Sequence, residues 1–171
     1  MDPFVVGPES RLQDYLYEHI PISAAMGVTV EAADENEVRL RAPLDLNINH
    51  RSTVFGGSAA AVAILAGWSL LHLRLGAGGH SKRIVIQRNS VDYTHPIDGD
   101  FDAVAVPPAP QDWARFTRVL RRRGRGRIEL IVELRKAGRK VGESVGAYVV
   151  LPPEDTEDGE SAGERSAHVL R

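Results

Sequence analysis

Asn47-Ile48-Asn49-His50-Arg51-Ser52-Thr53-Val54-Phe55-Gly56-Gly57-Ser58 runs straight into Ala59-Ala60-Ala61-Val62-Ala63-Ile64-Leu65-Ala66-Gly67-Trp68-Ser69-Leu70-Leu71. A polar loop of short hydrogen-bonding side chains opens through two glycines into a helix that is apolar on every face, and such a helix must be buried all round. Over residues 56–75 it would be roughly 30 Å long at about 1.5 Å per residue, with small residues at 59, 63, 66 and 67 where a sheet can come close. One sheet wrapped around this central helix is the simplest structure that buries it. A membrane span is not expected: the uninterrupted apolar run falls short of the ~20 residues a span needs, and His72 and Arg74 close it.

At the head of the helix, the amides of Gly56, Gly57 and Ser58 have no carbonyl one turn back to bond, so they point outward as donors at the positive end of the helix dipole. An anion or a polarised carbonyl oxygen suits that position. Without a Cβ, the paired glycines let a ligand approach the backbone. A Gly-Gly pair also serves as a plain loop-to-helix turn, and Ser58 can simply cap the helix.

Working outward, residues 1–8 form a short arm without the basic stretch or apolar core of a signal peptide. Residues 9–19 carry Leu12, Tyr15, Leu16 and His19 at helical spacing, and Pro21 ends that helix. Residues 26–33 and 37–44 alternate with period two around Asp34-Glu35-Asn36, a hairpin with one wet face. Beyond the central helix, 75–80 reads as a flexible turn and 83–93 as a long strand. Its polar and apolar residues mix without clean alternation, which makes sense at a pairing interface between two subunits. Residues 100–106 form another strand, Pro107-Pro108-Ala109-Pro110 stops it, and Trp113, Phe116, Val119 and Leu120 line one side of a helix over 111–122. Strands over 127–134 and 140–151 close as a hairpin. From 152 onward the tail is acidic and poor in apolar residues, so disorder is expected there. The order predicts an α+β domain over 9–151, an antiparallel sheet curled about the long helix.

The Asn-rich loop, the Phe55-Gly56-Gly57-Ser58 opening, the Ala-rich helix and Val91-Asp92-Tyr93-Thr94-His95-Pro96-Ile97-Asp98-Gly99-Asp100 together resemble hotdog-fold thioesterases. Within them the chain is similar to the YiiD-type carboxy-terminal domain, including its helix between strands, and the resemblance spans roughly residues 11–151. It implies a homodimer or dimer of dimers that hydrolyses an acyl thioester of coenzyme A or acyl carrier protein, without a cofactor. In such enzymes an amide at the start of the central helix polarises the thioester carbonyl and a carboxylate activates water or attacks. Gly57 is the expected amide donor here, with Ser58 beside it. The carboxylate is missing, since no Asp or Glu occurs from Arg51 to Lys82. The remaining polar candidates are Asn49 and His50 for the chemistry, with His50 suited as a general base by its ordinary pKa near 6.5. Asn47, Thr53, Phe55 and Gly56 are candidates for holding substrate, as are Asp92 and His95, which can arrive from a partner subunit. A non-catalytic acyl-thioester binder is the rival reading, and the missing carboxylate favours it.

With 171 residues and 43% hydrophobic content, the chain suits one domain with its own core. A net charge of −2 gives no global field to recruit nucleic acid or an anionic membrane. The absence of cysteine excludes disulfides and thiolate nucleophiles and fits a cytoplasmic location. Arg121-Arg122-Arg123-Gly124-Arg125 is a short basic cluster without interleaved aromatics, weak for nucleic acid. It suits the phosphates of coenzyme A, or a solvated turn. The histidines at 19, 50, 72, 80, 95 and 168 have no metal-ligand spacing, so no metal is expected.

Overall fold

The computed structural model describes residues 7–76 and 83–153. Residues 1–6 of the expected arm over 1–8, most of the expected turn after the central helix, and residues 154–171 of the expected tail from 152 lie outside the described residues. In chain order the elements are α1 (Pro8–His19), α2 (Ile22–Ala25), β1 (Thr29–Ala33), β2 (Val38–Ala42), α3 (Gly56–Leu75), β3 (Arg83–Tyr93), β4 (Phe101–Ala105), α4 (Pro110–Arg123), β5 (Gly126–Lys136) and β6 (Arg139–Leu151). The strands form one sheet in the order β1-β2-β4-β5-β6-β3, antiparallel throughout.

The central helix α3 spans the expected residues, and every position from Ser58 to Leu75 is buried or half-buried. By length and composition it also passes as a membrane-crossing helix. In this fold its surroundings are the sheet and α1. Strand β5 turns Ile128, Leu130, Val132 and Leu134 inward and Arg127, Glu129 and Ile131 outward, the period-two alternation of a sheet with one covered face. From the other side, α1 inserts Leu12 and Leu16 into the core and stacks Tyr15 near Trp68 and His72, with ring centroids 5.9 and 5.0 Å away.

One contact sets how closely the sheet and α3 approach. Tyr148 on β6 is 1% exposed and donates from its hydroxyl to the Ile64 carbonyl at 3.0 Å. It reaches the helix backbone through a notch at Gly67, where a Cβ would stand 2.3 Å from the tyrosine oxygen. Burial pushes the Tyr148 phenol well above the ordinary tyrosine range, so it stays a donor.

The first strand is shorter than its alternation suggests. Residues 22–25 coil into α2, and Gly27 turns the chain at φ +64 before β1 begins at Thr29. At the other end of the order, β3 pairs with β6 along one edge only. Among the described residues its other edge has no partner strand, and Val85, Ile86 and Tyr93 are exposed. Helix α4 buries Phe116 and Leu120 beside Gly126 and ends at Gly124 in the left-handed conformation. Arg74 of α3 lies 4.3 Å over the Trp113 ring, tying α4 to the end of the central helix.

Gly67→Ala should therefore destabilise the protein. Overpacking against a ring that cannot move and loss of its hydrogen bond outweigh the ~1 kcal/mol gained in helix propensity, leaving a net cost of about 1–3 kcal/mol. Thermal or urea melting measures this, and Gly67→Ala combined with Tyr148→Phe should recover part of the loss.

Candidate functional site

The loop between β2 and α3 is organised by its own asparagines. Asn49 accepts from the Arg51 amide (2.7 Å) and the Thr53 amide (3.4 Å) on Oδ1, and donates from Nδ2 to Thr53 Oγ1 (2.9 Å) and the Val54 carbonyl (3.1 Å). These bonds close a tight hairpin over 48–54, in which Ser52 takes a left-handed φ of 59 and Ile48 bridges Val54. Asn47 lies beneath the loop, 2% exposed, donating to the Met26 carbonyl (2.9 Å) and the Pro43 carbonyl (2.8 Å). Its own carbonyl receives the Phe55 amide at 2.7 Å. Both asparagines thus spend their amide hydrogens on the protein, and what they hold in place is the head of α3.

No side chain caps that helix. Phe55 is its extended N-cap residue, and the Phe55 carbonyl accepts from Ala59 at 3.1 Å. The amides of Gly56, Gly57 and Ser58 are the orphan donors of the first turn. Each glycine lies under an aromatic ring. A Cβ on Gly57 would stand 2.4 Å from the Phe55 ring, and one on Gly56 would stand 3.4 Å from the Tyr93 hydroxyl. Tyr93, at the end of β3, donates to the Gly56 carbonyl at 2.5 Å.

Beside these groups a cavity of about 410 Å³ is lined by Thr53, Val54, Gly56, Tyr93, Thr94, His95, Pro96 and Ile97. The Val54 amide bonds the Ile97 carbonyl at 2.7 Å, and the Thr94 and His95 amides bond the Val141 carbonyl at 3.0 and 3.2 Å. The cavity therefore lies between two anchored segments. Of the residues singled out in the sequence, Thr53, Gly56 and His95 line it, and Gly57 and Ser58 follow on the next positions of the helix. His95 is exposed, with Nδ1 3.1 Å from Thr94 Oγ1. His50 is exposed at the loop tip, where Arg51 Nε donates to its Nε2 at 3.3 Å. Asp92 is exposed on β3. Asp98, the other nearby acid, is ion-paired to Lys136, which holds its carboxyl below the usual range.

Arg121, Arg122 and Arg123 lie elsewhere in the protomer. They are exposed in the last turn of α4, where their charge suits the negative end of the helix dipole. Gly126, just beyond, pairs with Val150, and Arg83 pairs with Leu151, whereas Tyr93 pairs with Gly142 at the opposite end of β6. Trp68 donates to the Ile84 carbonyl at 3.1 Å, so that end of the sheet is level with the later turns of α3. The rise from Gly57 to Trp68 alone is about 16 Å at 1.5 Å per residue.

The sequence model of a family described as "Putative thioesterase (yiiD_Cterm)" matches residues 9–152. The chain belongs to this family. Its solved relatives share the fold across nearly their whole length. A protein described as of unknown function, from Chlorobaculum tepidum, is 27% identical with a TM-score of 0.76, over 84% of this chain and 94% of that one. A "putative thioesterase" from Shewanella oneidensis is 25% identical with a TM-score of 0.73, over 84% and 97%. A thioesterase from Haemophilus influenzae shares the fold at 15% identity and a TM-score of 0.67, over 90% and 96%. The architecture of this YiiD-type domain is the hotdog fold, and its family is of the thioesterase class of hydrolases.

Tyr93 carries no functional signal of its own in the sequence: it stands within the motif at 91–100, but nothing local says that the last residue of a strand will meet the first carbonyl of a helix 37 positions earlier.

Asn49 and His50 of the YiiD-type domain should separate cleanly. Asn49→Ala should loosen the loop at a cost of about 1–3 kcal/mol, given several half-buried hydrogen bonds lost together, and hydrogen exchange at the Arg51 and Thr53 amides should accelerate. His50→Ala should leave melting and exchange unchanged, so any loss of turnover in that variant reports chemistry.

Proposed function

We propose that the protein hydrolyses acyl thioesters of coenzyme A or acyl carrier protein, binding the thioester carbonyl oxygen at the Gly57 amide with the acyl chain beside α3. The observation that carries this reading is the uncapped head of α3 opening next to a cavity, in a chain of the thioesterase family. As water adds to the carbonyl carbon, negative charge grows on the oxygen. A fixed backbone donor at a helix N-terminus stabilises that charge without reorganising. His50, His95 and Asp92 are the available proton acceptors around the loop and β3, and Ser58 and Thr53 supply hydroxyls for orienting water.

The active unit in this reading is a homodimer joined through β3. An 11-residue strand with one edge unpaired among the described residues, and with Val85, Ile86 and Tyr93 exposed, is a template for strand addition. Two copies pairing antiparallel about the middle of β3 set the Arg83 end of one beside the Tyr93 end of the other. That arrangement brings Arg121, Arg122 and Arg123 of a second copy toward this site, which their position in one protomer does not allow. They then suit the nucleotide phosphates of coenzyme A. A binder that does not hydrolyse remains the second reading, favoured by the absence of any acid along α3.

A panel of acyl-CoAs of increasing chain length, assayed for free thiol, tests the reaction, and binding without thiol release would select the second reading. Replacing Arg121, Arg122 and Arg123 by Ala should raise KM for acyl-CoA about tenfold or more, one charge-assisted hydrogen bond being worth ~1.5–3 kcal/mol. KM for the matching acyl-pantetheine should not change. Equal effects on both substrates would return the arginines to a solvated helix end.

A further inference from the structure

We propose that Tyr93 is a positioning residue that strengthens the Gly57 amide as an oxyanion donor, a role that rests on the reading of Gly57 given above. The Gly56 carbonyl and the Gly57 N–H belong to a single planar peptide group. Tyr93 donates to that carbonyl. A donor on the oxygen draws electron density through the amide and leaves the N–H more positive, as happens along any chain of hydrogen bonds in a low-dielectric setting.

Aromatic side chains flank this peptide: a Cβ on Gly56 would stand 3.4 Å from the Tyr93 hydroxyl, and one on Gly57 would stand 2.4 Å from the edge of the Phe55 ring. Tyr93 is 45% exposed in the single protomer, where its hydroxyl bond to Gly56 rather than apolar burial fixes its position. Partial burial nonetheless raises the phenol above the ordinary tyrosine pKa, which keeps it protonated and donating at neutral pH. Because negative charge builds on the substrate oxygen only as the tetrahedral intermediate forms, a stronger N–H acts on the transition state more than on bound substrate.

Tyr93→Phe removes the hydroxyl and keeps the ring beside Gly56, leaving the carbonyl at best an exchanging water in place of a fixed phenol. If polarisation contributes 10–30% of the free energy of a donor worth ~10²–10³ in rate, kcat should fall about two- to eight-fold, with KM unchanged. The decisive readout is the amide proton resonance of Gly57 in the free protein, which should move upfield in Tyr93→Phe. Incorporating a ring-fluorinated tyrosine at 93, a stronger donor while protonated, should move it downfield. A purely structural contact would not give shifts of opposite sign. A Gly57 resonance unmoved by both replacements overturns the proposal. The underlying reading is checked separately by titrating the wild type with a ketone analogue of acyl-CoA, in which methylene replaces the thioester sulfur. A downfield shift at Gly57 supports it. No shift there, with shifts elsewhere showing that the analogue binds, removes the oxyanion role and the proposal with it.

Discussion

A 20-residue helix with no polar face is tolerable in water only if something encloses it, and most of this structure follows from that requirement. The inward-facing side chains of β2, β4, β5 and β6, together with Leu12 and Leu16 of α1, supply the enclosure. Close approach is achieved by removing side chains from the helix. Gly67 admits the Tyr148 ring, and the alanines at 59, 63 and 66 are fully buried. Burial also leaves the helix to begin at a surface, where its first amides have no carbonyl one turn back. The site therefore stands at the point where the core element leaves the core.

The same division explains what the sequence made legible. The bounds of α3 and β3 could be read to the residue, because Gly56-Gly57 and Gly76 bracket a largely apolar helical stretch and β3 is a long extended stretch between an expected turn and Pro96. Helix geometry leaves the amides of Gly56, Gly57 and Ser58 equally open, and only the family resemblance singles out Gly57 among them. The asparagines were harder, since the same side chain that can orient a water can also close its own loop. The structure finds Asn47 and Asn49 bonded to Met26, Pro43, Thr53 and Val54. Which of those uses occurs is decided by loop geometry that no local pattern records.

Tertiary placement accounts for the rest. Tyr93 meets Gly56, and α4 delivers its arginines to the far end of the sheet, only because β3 and β6 run the full length of α3 in opposite senses. Charge and spacing identified the cluster at 121–123 as a group suited to phosphates, but could not say which end of the molecule it occupies. Its distance from Gly57 within one protomer makes the open edge of β3 and the arginines two parts of one question.

The central claim is that the head of α3 holds the reacting carbonyl, and Gly57→Val tests it most directly. Its Cβ meets the edge of the Phe55 ring at 2.4 Å, and that ring is 58% exposed and has room to turn outward, so folding should cost about 1 kcal/mol. The branched side chain would nonetheless occupy the space in front of the amide. Turnover of the best acyl thioester and thermal melting, measured on the same preparation, should show kcat/KM reduced by ~10² or more in a protein that melts within a few degrees of the wild type. A folded Gly57→Val protein with wild-type turnover would contradict the account and leave this helix start a matter of architecture alone.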